Sequence, residues 1–260
     1  MNFDLVVCGV GGQGVLSVAW VVDQAAVEAG YHLKQPEVHG MAQRGGAVSA
    51  FVRIADAPIA SDLIADGSAH MVLAVEPMES LRYARLLRPD GWIVTDVTPL
   101  INVVDYPERE ALYDVLFAVR RLVAIDATRL AHRAGTVKAQ NMVMLGAAAS
   151  LLPLPPELLE QRIRALFAGK GKRIVDANVA AFRMGDAASR FTAALAARGL
   201  APEVIARVVP RLAFEPMPVA DDVVAAWARR LRAPDGPAVA RRIFASADDV
   251  PLTVASLQSA

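Results

Sequence analysis

The chain has 260 residues, of which 27 are lysine or arginine and 27 are aspartate or glutamate, so its formal net charge is zero. A protein that binds nucleic acid through phosphate contacts needs a basic excess, so this balance argues against that class. Apolar residues make up 55% of the chain, which excludes a disordered protein. The single cysteine, Cys8, excludes a disulfide framework and an iron–sulfur cluster held by this chain alone, since such clusters take several thiolates.

Targeting signals are absent from the sequence pattern. The most apolar run, residues 141–154, is shorter than the roughly 18 to 20 residues that a membrane span needs. The N-terminal residues 1–4 lack the basic leader of a signal peptide. We therefore expect a cytoplasmic protein that contacts neither nucleic acid nor a membrane.

The first half of the chain alternates strand and helix signals. Strands are predicted over residues 3–9, 31–38, 47–55, 70–75, 91–96 and 122–125, and helices over 14–30, 78–87 and 127–133. A turn at residues 89–91 is predicted to precede the fifth strand, and Pro36 weakens the second because proline cannot donate to a strand ladder. This alternation predicts an α/β, Rossmann-like fold with a mostly parallel sheet and flanking helices.

The second half is predicted to be helical. Helices are expected over residues 139–152, 157–168 and 172–198, with Gly199 placed to end the last of them. Beyond Gly199 proline becomes frequent, and one clear amphipathic helix is expected over 221–231. We divide the chain into a domain over residues 1–199 and a C-terminal extension over 200–260, expected to wrap the domain or to dock on a partner.

A glycine-rich motif follows the first predicted strand and opens the first helix: Gly9-Val10-Gly11-Gly12-Gln13-Gly14. Glycines permit the tight turn and let backbone amides approach an anionic phosphate at the helix N-terminus, where the helix dipole favours negative charge. The dinucleotide-binding fingerprint also requires an acidic residue about 20 positions after the glycine motif, and Glu37 lies close to that position. The alternative is that the glycines only make the turn and allow close helix packing.

The second motif is a polar loop, Glu37-Val38-His39-Gly40-Met41-Ala42-Gln43-Arg44-Gly45-Gly46. Arginine offers a planar fork for a carboxylate or phosphate, and histidine is the usual proton carrier near neutral pH. His39 and Arg44 are therefore the candidate catalytic residues, against the alternative that Arg44 pairs with Glu37 and His39 is merely hydrogen-bonded. The candidate cofactor-binding residues of the two motifs are Gly9, Gly11, Gly12, Gln13, Gly14, Glu37, Gln43, Gly45 and Gly46.

For the other polar residues a structural role is either favoured or equally expected. Asp96 and Asp126 follow predicted strands, where α/β folds place ligands, but they are equally expected as helix caps. Asn141 sits in an apolar helix, where a buried amide must find partners. The four histidines show no ligand spacing and no acidic cluster accompanies them, so no metal site is predicted.

Read together, the two motifs resemble the gamma-type domain of 2-oxoacid:ferredoxin oxidoreductases. Four further stretches match that family in the same order, at residues 61–64, 76–83, 141–147 and 178–185. The resemblance covers about residues 1–185. The sequence of residues 39–46 is similar to that of the indolepyruvate branch, in which this domain is a separate small beta subunit. The extension beyond Gly199 is longer than expected for that subunit.

The resemblance implies an activity and a division of labour. Complexes of this family decarboxylate a 2-oxoacid on thiamine diphosphate, here expected to be an aryl 2-oxoacid, pass electrons through 4Fe–4S clusters to ferredoxin, and form an acyl-CoA. Thiamine diphosphate, magnesium and the clusters are expected on a large alpha subunit, in agreement with the single cysteine here, and the small subunit is expected to be inactive alone. Coenzyme A is expected as the co-substrate, so the glycine motif either faces its anionic nucleotide end or is a structural remnant.

Three alternatives stay open. In the first, the complex is of the pyruvate or 2-oxoglutarate type, although that type has a different sequence in the second motif. In the second, the chain is a free-standing NAD(P)-binding oxidoreductase that uses the glycine motif and Glu37, although no His–Asp pair suited to hydride transfer follows downstream. In the third, the chain is a non-catalytic interaction module anchored by the helix over residues 221–231.

Overall fold

The computed structural model describes residues 1–39, 45–101 and 103–258. Within these ranges seven strands form the main sheet: β1 (Asn2–Val10), β2 (His32–Lys34), β3 (Glu37–His39), β4 (Ala47–Ala55), β5 (Ala69–Ala74), β6 (Leu87–Asp96) and β7 (Leu122–Ile125). Their order is β2-β4-β1-β5-β6-β7, with β3 also paired to β4. β1, β5, β6 and β7 pair in parallel, whereas β4 runs antiparallel to its three neighbours. The predicted α/β, mostly parallel architecture is confirmed.

Helices cover both faces of this sheet. Those of the described residues are α1 (Val15–Glu28), α2 (Pro77–Arg82), α3 (Arg109–Phe117), α4 (Ala127–Arg133), α5 (Gln140–Ala149), α6 (Pro156–Phe167), α7 (Lys172–Ala197), α8 (Pro202–Val208), α9 (Asp221–Arg232) and α10 (Gly236–Ala245). Leu5 and Val7 of β1 join the core cluster of α1, α5 and α7, and Val6 joins the cluster of α3. Strands buried on both faces read as continuous apolar runs, which is why β1 shows no alternation. In the described residues, none of these helices has the length and apolarity to cross a membrane.

Two prolines explain where the predicted strands differ from the observed ones. The predicted second strand is two short strands, β2 and β3, separated at Pro36 and both paired with β4. β6 begins at Leu87, so the turn expected at Pro89 was wrong and that residue lies inside the strand. The register of the β5–β6 pair shifts between Ala69 and Met71, and this irregularity accommodates the proline.

Helices α5 and α7 cross in direct backbone contact. A Cβ atom added to Gly146 would lie 1.9 Å from the carbonyl oxygen of Phe182, and one added to Gly185 would lie 2.0 Å from the carbonyl oxygen of Val143. The two glycines therefore let the helix backbones touch. Both belong to stretches on which the family resemblance rests, so close packing accounts for them.

The C-terminal extension packs onto the domain. Besides the predicted helix α9, it contains α8, α10 and a two-stranded parallel sheet, β8 (Leu212–Ala213) with β9 (Val250–Pro251). Trp227 of α9 is fully buried in the same core cluster as α1 and α7. Ion pairs join Arg211 to Asp126 at 3.5 Å and Glu215 to Arg133 at 2.7 Å.

Candidate functional site

The glycine motif forms a tight turn from β1 into α1. Gly12 and Gly14 adopt φ values of +100° and +79°, in the left-handed region that favours glycine. The side-chain oxygen of Gln13 accepts a hydrogen bond from the Val10 amide at 2.8 Å, and its Nε2 donates to the Val75 carbonyl at 3.0 Å. Gln13 thus ties the turn to the end of β5, while Gly9 packs against Gln13 and Val15 from inside β1.

The structure brings the two sequence motifs together through a backbone contact. The Gly11 amide donates a hydrogen bond to the Gly46 carbonyl at 2.8 Å. Glu37 lies on β3, which pairs with β4 and not with β1, so the carboxylate is not placed as the dinucleotide fingerprint requires. Gln43, Arg44 and the side chain of His39 lie outside the described residues, and their roles stay predictions.

A cleft of about 570 Å³ opens in front of the first turn of α1. Its walls come from the glycine motif, from the segment before α5, and from the junction of α6 and α7. The lining residues are Gly12, Gln13, Gly14, Ser17, Thr136, Lys138, Gln140, Asn141, Phe167, Lys170, Ile174 and Asn178. Over the described part of the chain, α1 starts without a side-chain cap or a first-turn acid, so the positive end of its dipole is left for an anion.

Two lysines give this cleft a positive charge. The chain contains 23 arginines and only four lysines, and Lys138 and Lys170 both line the cleft. Lys170 Nζ lies 5.5 Å from the ring centre of Phe167, and neither lysine has a carboxylate partner among the residues that the structure describes. The sequence analysis missed both residues, although the scarcity of lysine was a usable signal. An anionic ligand matches these cations and the helix terminus.

Two asparagines line the floor of the cleft. Asn141 donates from Nδ2 to the Gly14 carbonyl at 3.2 Å and thereby holds the turn against α5. Asn178 is only 3% exposed; its Nδ2 donates to the Ile174 carbonyl at 2.8 Å, but its Oδ1 has no partner within the described ranges. A buried acceptor without a donor costs about 1–3 kcal/mol, so this oxygen is suited to receive an N–H or O–H group from a ligand.

The acidic residues at the ends of β6 and β7 are structural. Asp126 accepts a hydrogen bond from the Arg129 amide at 3.0 Å, which confirms it as the cap of α4. Asp96 accepts from the amides of Thr98 and Ala127 at 2.9 and 3.2 Å. Burial, reinforced by the neighbouring Asp126 carboxylate, raises the pKa of Asp96 from 3.8 to about 8. Neither carboxylate lines the cleft, and no group of three or more possible metal ligands is present in residues 1–39, 45–101 and 103–258.

The raised pKa of Asp96 predicts a pH-dependent contribution to stability. Between about pH 4 and pH 8 the folded protein holds a proton that the unfolded chain releases, so this group makes the free energy of unfolding fall as the pH rises through that window. The variant Asp96→Asn keeps a neutral acceptor for both amides and should lack this slope. Urea unfolding of both proteins at about pH 5.0, 6.5 and 8.0 measures this slope. Parallel curves for the two proteins would contradict the protonated state.

Comparison with known proteins places this geometry in a family. Residues 4–188 match the family described as pyruvate ferredoxin/flavodoxin oxidoreductase. The chain belongs to this family. Indolepyruvate oxidoreductase subunit IorB of Archaeoglobus fulgidus is 36% identical over 194 residues, covering 71% of this chain and 94% of the relative. The subunit of the same name from Methanothermobacter thermautotrophicus is 35% identical over 192 residues, covering 71% and 96%. The resemblance identified from the motifs is confirmed.

Solved structures support the fold assignment. Pyruvate oxidoreductase subunit PORC from Thermotoga maritima is 25% identical with a TM-score of 0.53, over 71% of this chain and 94% of that chain. The 2-oxoglutarate:ferredoxin oxidoreductase from Magnetococcus marinus, solved with 2-oxoglutarate, coenzyme A and succinyl-CoA bound, has a TM-score of 0.58 at 19% identity. That match covers 73% of this chain and 31% of the other, and shares the fold alone.

Proposed function

We propose that this chain is the small subunit of a thiamine-diphosphate-dependent, indolepyruvate-type 2-oxoacid:ferredoxin oxidoreductase. The observation that carries the proposal is its 35–36% identity to subunits of that name over 94–96% of their length. The complex oxidatively decarboxylates an aryl 2-oxoacid to its acyl-CoA in the cytoplasm and reduces ferredoxin. Thiamine diphosphate, magnesium and the iron–sulfur clusters belong to the large alpha subunit, and this chain is inactive alone.

Co-expression with a large thiamine-binding subunit tests the assignment. The two chains should co-elute in size-exclusion chromatography, and the complex should reduce ferredoxin when indolepyruvate and coenzyme A are both supplied. Failure to co-elute would refute the subunit role. Turnover of pyruvate or 2-oxoglutarate in place of indolepyruvate would assign the complex to another branch of the family. Full activity of the large subunit alone would show that this chain is a non-catalytic module.

We further propose that the cleft holds the nucleotide half of coenzyme A. Its phosphates are suited to the first turn of α1 and to Lys138 and Lys170, and a donor on the base is suited to the unpartnered Oδ1 of Asn178. Gly12 and Gly14 lack side chains that would block the approach to the backbone amides. These features support the assignment of the glycine motif as cofactor-binding.

Three side chains and the glycine motif of the cleft then have defined tasks. When bound, coenzyme A supplies the thiol that accepts the acyl group. Lys138 and Lys170 neutralise the phosphates, the backbone of the glycine motif orients them, and Asn178 accepts a hydrogen bond from the base. His39 and Arg44 stay the candidates for contact with the reacting centre. Titration of the isolated chain with NADH and NADPH is the control, because saturable binding at about micromolar concentration would favour the free-standing dehydrogenase instead.

A further inference from the structure

A cavity of about 400 Å³ opens on the face of the sheet that packs against α2, opposite to α1, and we call it the β4 cavity. It is lined by Phe51 of β4, by Asp62 and Leu63 of the segment after β4, and by Arg82 and Tyr83 at the end of α2. Both segments belong to stretches on which the family resemblance rests, and the proposed function gives them no role. Small-molecule sites have volumes of about 300–1,000 Å³, so the β4 cavity has room for a small ligand.

Part of the lining of the β4 cavity is aromatic. The rings of Phe51 and Tyr83 meet edge to face, with centroids 5.9 Å apart and an interplanar angle of 75°. The Tyr83 hydroxyl donates to Ser49 Oγ at 3.0 Å, which fixes the orientation of its ring. Leu63 adds an apolar side chain that is 74% exposed. A further ring can join such an aromatic pair in the same edge-to-face or offset geometry, so this lining favours an aromatic ligand.

Asp62 presents a carboxylate to the same cavity. Among the residues that the structure describes, this carboxylate has no hydrogen bond and no ion pair. The backbone is held on both sides of it, because Arg53 Nη1 donates to the carbonyls of Ser61 and Leu63, each at 2.9 Å. Arg53 is in turn paired through Nε with the buried Asp4 at 2.8 Å. The Asp62 carboxylate is therefore displayed from a fixed backbone and is available to a cation.

Arg82 presents hydrogen-bond donors to the same cavity. Its Nε donates to Glu79 at 3.0 Å, and Glu79 is buried, so the guanidinium is held in place from below. Its Nη1 and Nη2 atoms donate to no group in the described part of the chain. A guanidinium with free N–H groups matches the fork of a carboxylate. The neighbouring Arg85 bonds Asp66 at 3.2 Å, so that pair satisfies itself at the rim.

The β4 cavity thus combines an unpaired carboxylate, free guanidinium donors and an aromatic wall. A ligand that matches all three carries an ammonium, a carboxylate and an aromatic group. We propose that the β4 cavity binds an aromatic α-amino acid, with its ammonium on Asp62, its carboxylate on Arg82 and its ring against the aromatic wall. The 2-oxoacid with the same side chain lacks the ammonium and is bound less tightly. Because all of these residues belong to this chain, the site can be occupied without the large subunit.

Isothermal titration of the full chain with L-phenylalanine, 3-phenylpropionate and 2-phenylethylamine tests this site. The last two probes lack the ammonium and the carboxylate, respectively, so L-phenylalanine should bind with the lowest Kd. The variant Asp62→Asn should raise the Kd for L-phenylalanine by about three- to fivefold, as for a solvent-exposed ion pair, and leave the Kd for 3-phenylpropionate unchanged. Asp62 is exposed, so the thermal midpoint of the variant should equal that of the wild type.

A second variant and two matched controls separate the contacts. Leu63→Ala should raise the Kd for both L-phenylalanine and 3-phenylpropionate, because it removes an apolar contact that the two ligands share. The controls are Asp222→Asn and Met217→Ala, since both residues are exposed and lie in the C-terminal extension, outside the β4 cavity. Neither control should change any of the three Kd values.

Any of four results would overturn the proposal. A wild-type chain that binds no L-phenylalanine at about 10 mM shows that the cavity takes no amino acid. Equal Kd values for L-phenylalanine and 3-phenylpropionate show that the ammonium is not recognised. Unchanged binding of L-phenylalanine by Asp62→Asn places the ligand elsewhere on the chain. Loss of co-elution with the large subunit in Asp62→Asn, without amino-acid binding by the wild type, assigns the cavity to a protein partner.

Discussion

Replacing Gly146 or Gly185 by alanine is expected to lower the free energy of unfolding by about 3 kcal/mol. The new methyl group would lie 1.9 to 2.0 Å from a carbonyl oxygen of the facing helix, so α5 and α7 must separate. Alanine favours a helix over glycine by about 1 kcal/mol, which acts in the opposite direction. A net loss in the free energy of unfolding would therefore be caused by the helix contact and not by helix propensity. Denaturant unfolding of each variant measures it.

Gly169 is the control for this prediction. It precedes α7, and a Cβ atom added there would meet nothing within 4 Å. Gly169→Ala should change the unfolding free energy by less than about 0.5 kcal/mol. The double variant at Gly146 and Gly185 should cost less than the sum of the single variants, because one separation of α5 from α7 relieves both clashes. Wild-type stability of Gly146→Ala would show that the crossing is looser than described.

Removing both cleft lysines is expected to raise the KM of the complex for coenzyme A by about 10- to 100-fold, with little change in kcat. A hydrogen bond to a charged group contributes about 1.5–3 kcal/mol. Because both lysine side chains are solvent-exposed and screened, we expect the double variant Lys138→Ala/Lys170→Ala to lose about as much binding free energy as one such bond contributes. The phosphates lie far from the reacting thiol, so the lysines bind the ground state and the transition state equally. Steady-state kinetics with varied coenzyme A checks both constants.

The chain offers a matched control for the lysine variants. Lys34 is half-buried and lies outside the cleft, and its Nζ donates to the Ala60 carbonyl at 2.9 Å. Lys34→Ala should leave the KM for coenzyme A unchanged. The affinity for adenosine 3′,5′-bisphosphate should fall in the double variant and weaken with added salt, as expected for phosphate contacts. An unchanged KM in the double variant would show that the nucleotide does not bind in this cleft.

Local patterns predicted the elements that carry the site. The strand, glycine turn and helix over the first motif were predicted correctly because the apolar run, the glycines and the helical spacing all lie within about thirty residues. β4 and β7 were predicted with the observed bounds, Ala47–Ala55 and Leu122–Ile125. The direction of β4 was not predictable in this way, since alternation along a strand is the same for parallel and antiparallel pairing.

The other wall of the cleft depends on contacts between distant residues. Lys138, Lys170 and Asn178 lie more than 120 positions after the glycine motif, and no local spacing connects them with it. The free acceptor of Asn178 is apparent only once its Nδ2 is seen bonded to the Ile174 carbonyl. Asn141 was predicted to need partners, and the structure supplies them at Gly14 and Met142.

The hydrogen bond from the Gly11 amide to the Gly46 carbonyl has a consequence for how the two motifs respond to ligands. It joins their main chains directly, so a ligand that shifts the glycine turn also shifts the end of the polar loop. Thermodynamic linkage is reciprocal, so any factor by which occupancy at one motif changes the affinity of the other must act equally in the reverse direction. Because both bonded atoms belong to the backbone, alanine scanning would leave this coupling intact, and an amide-to-ester replacement at residue 11 would be needed to break it.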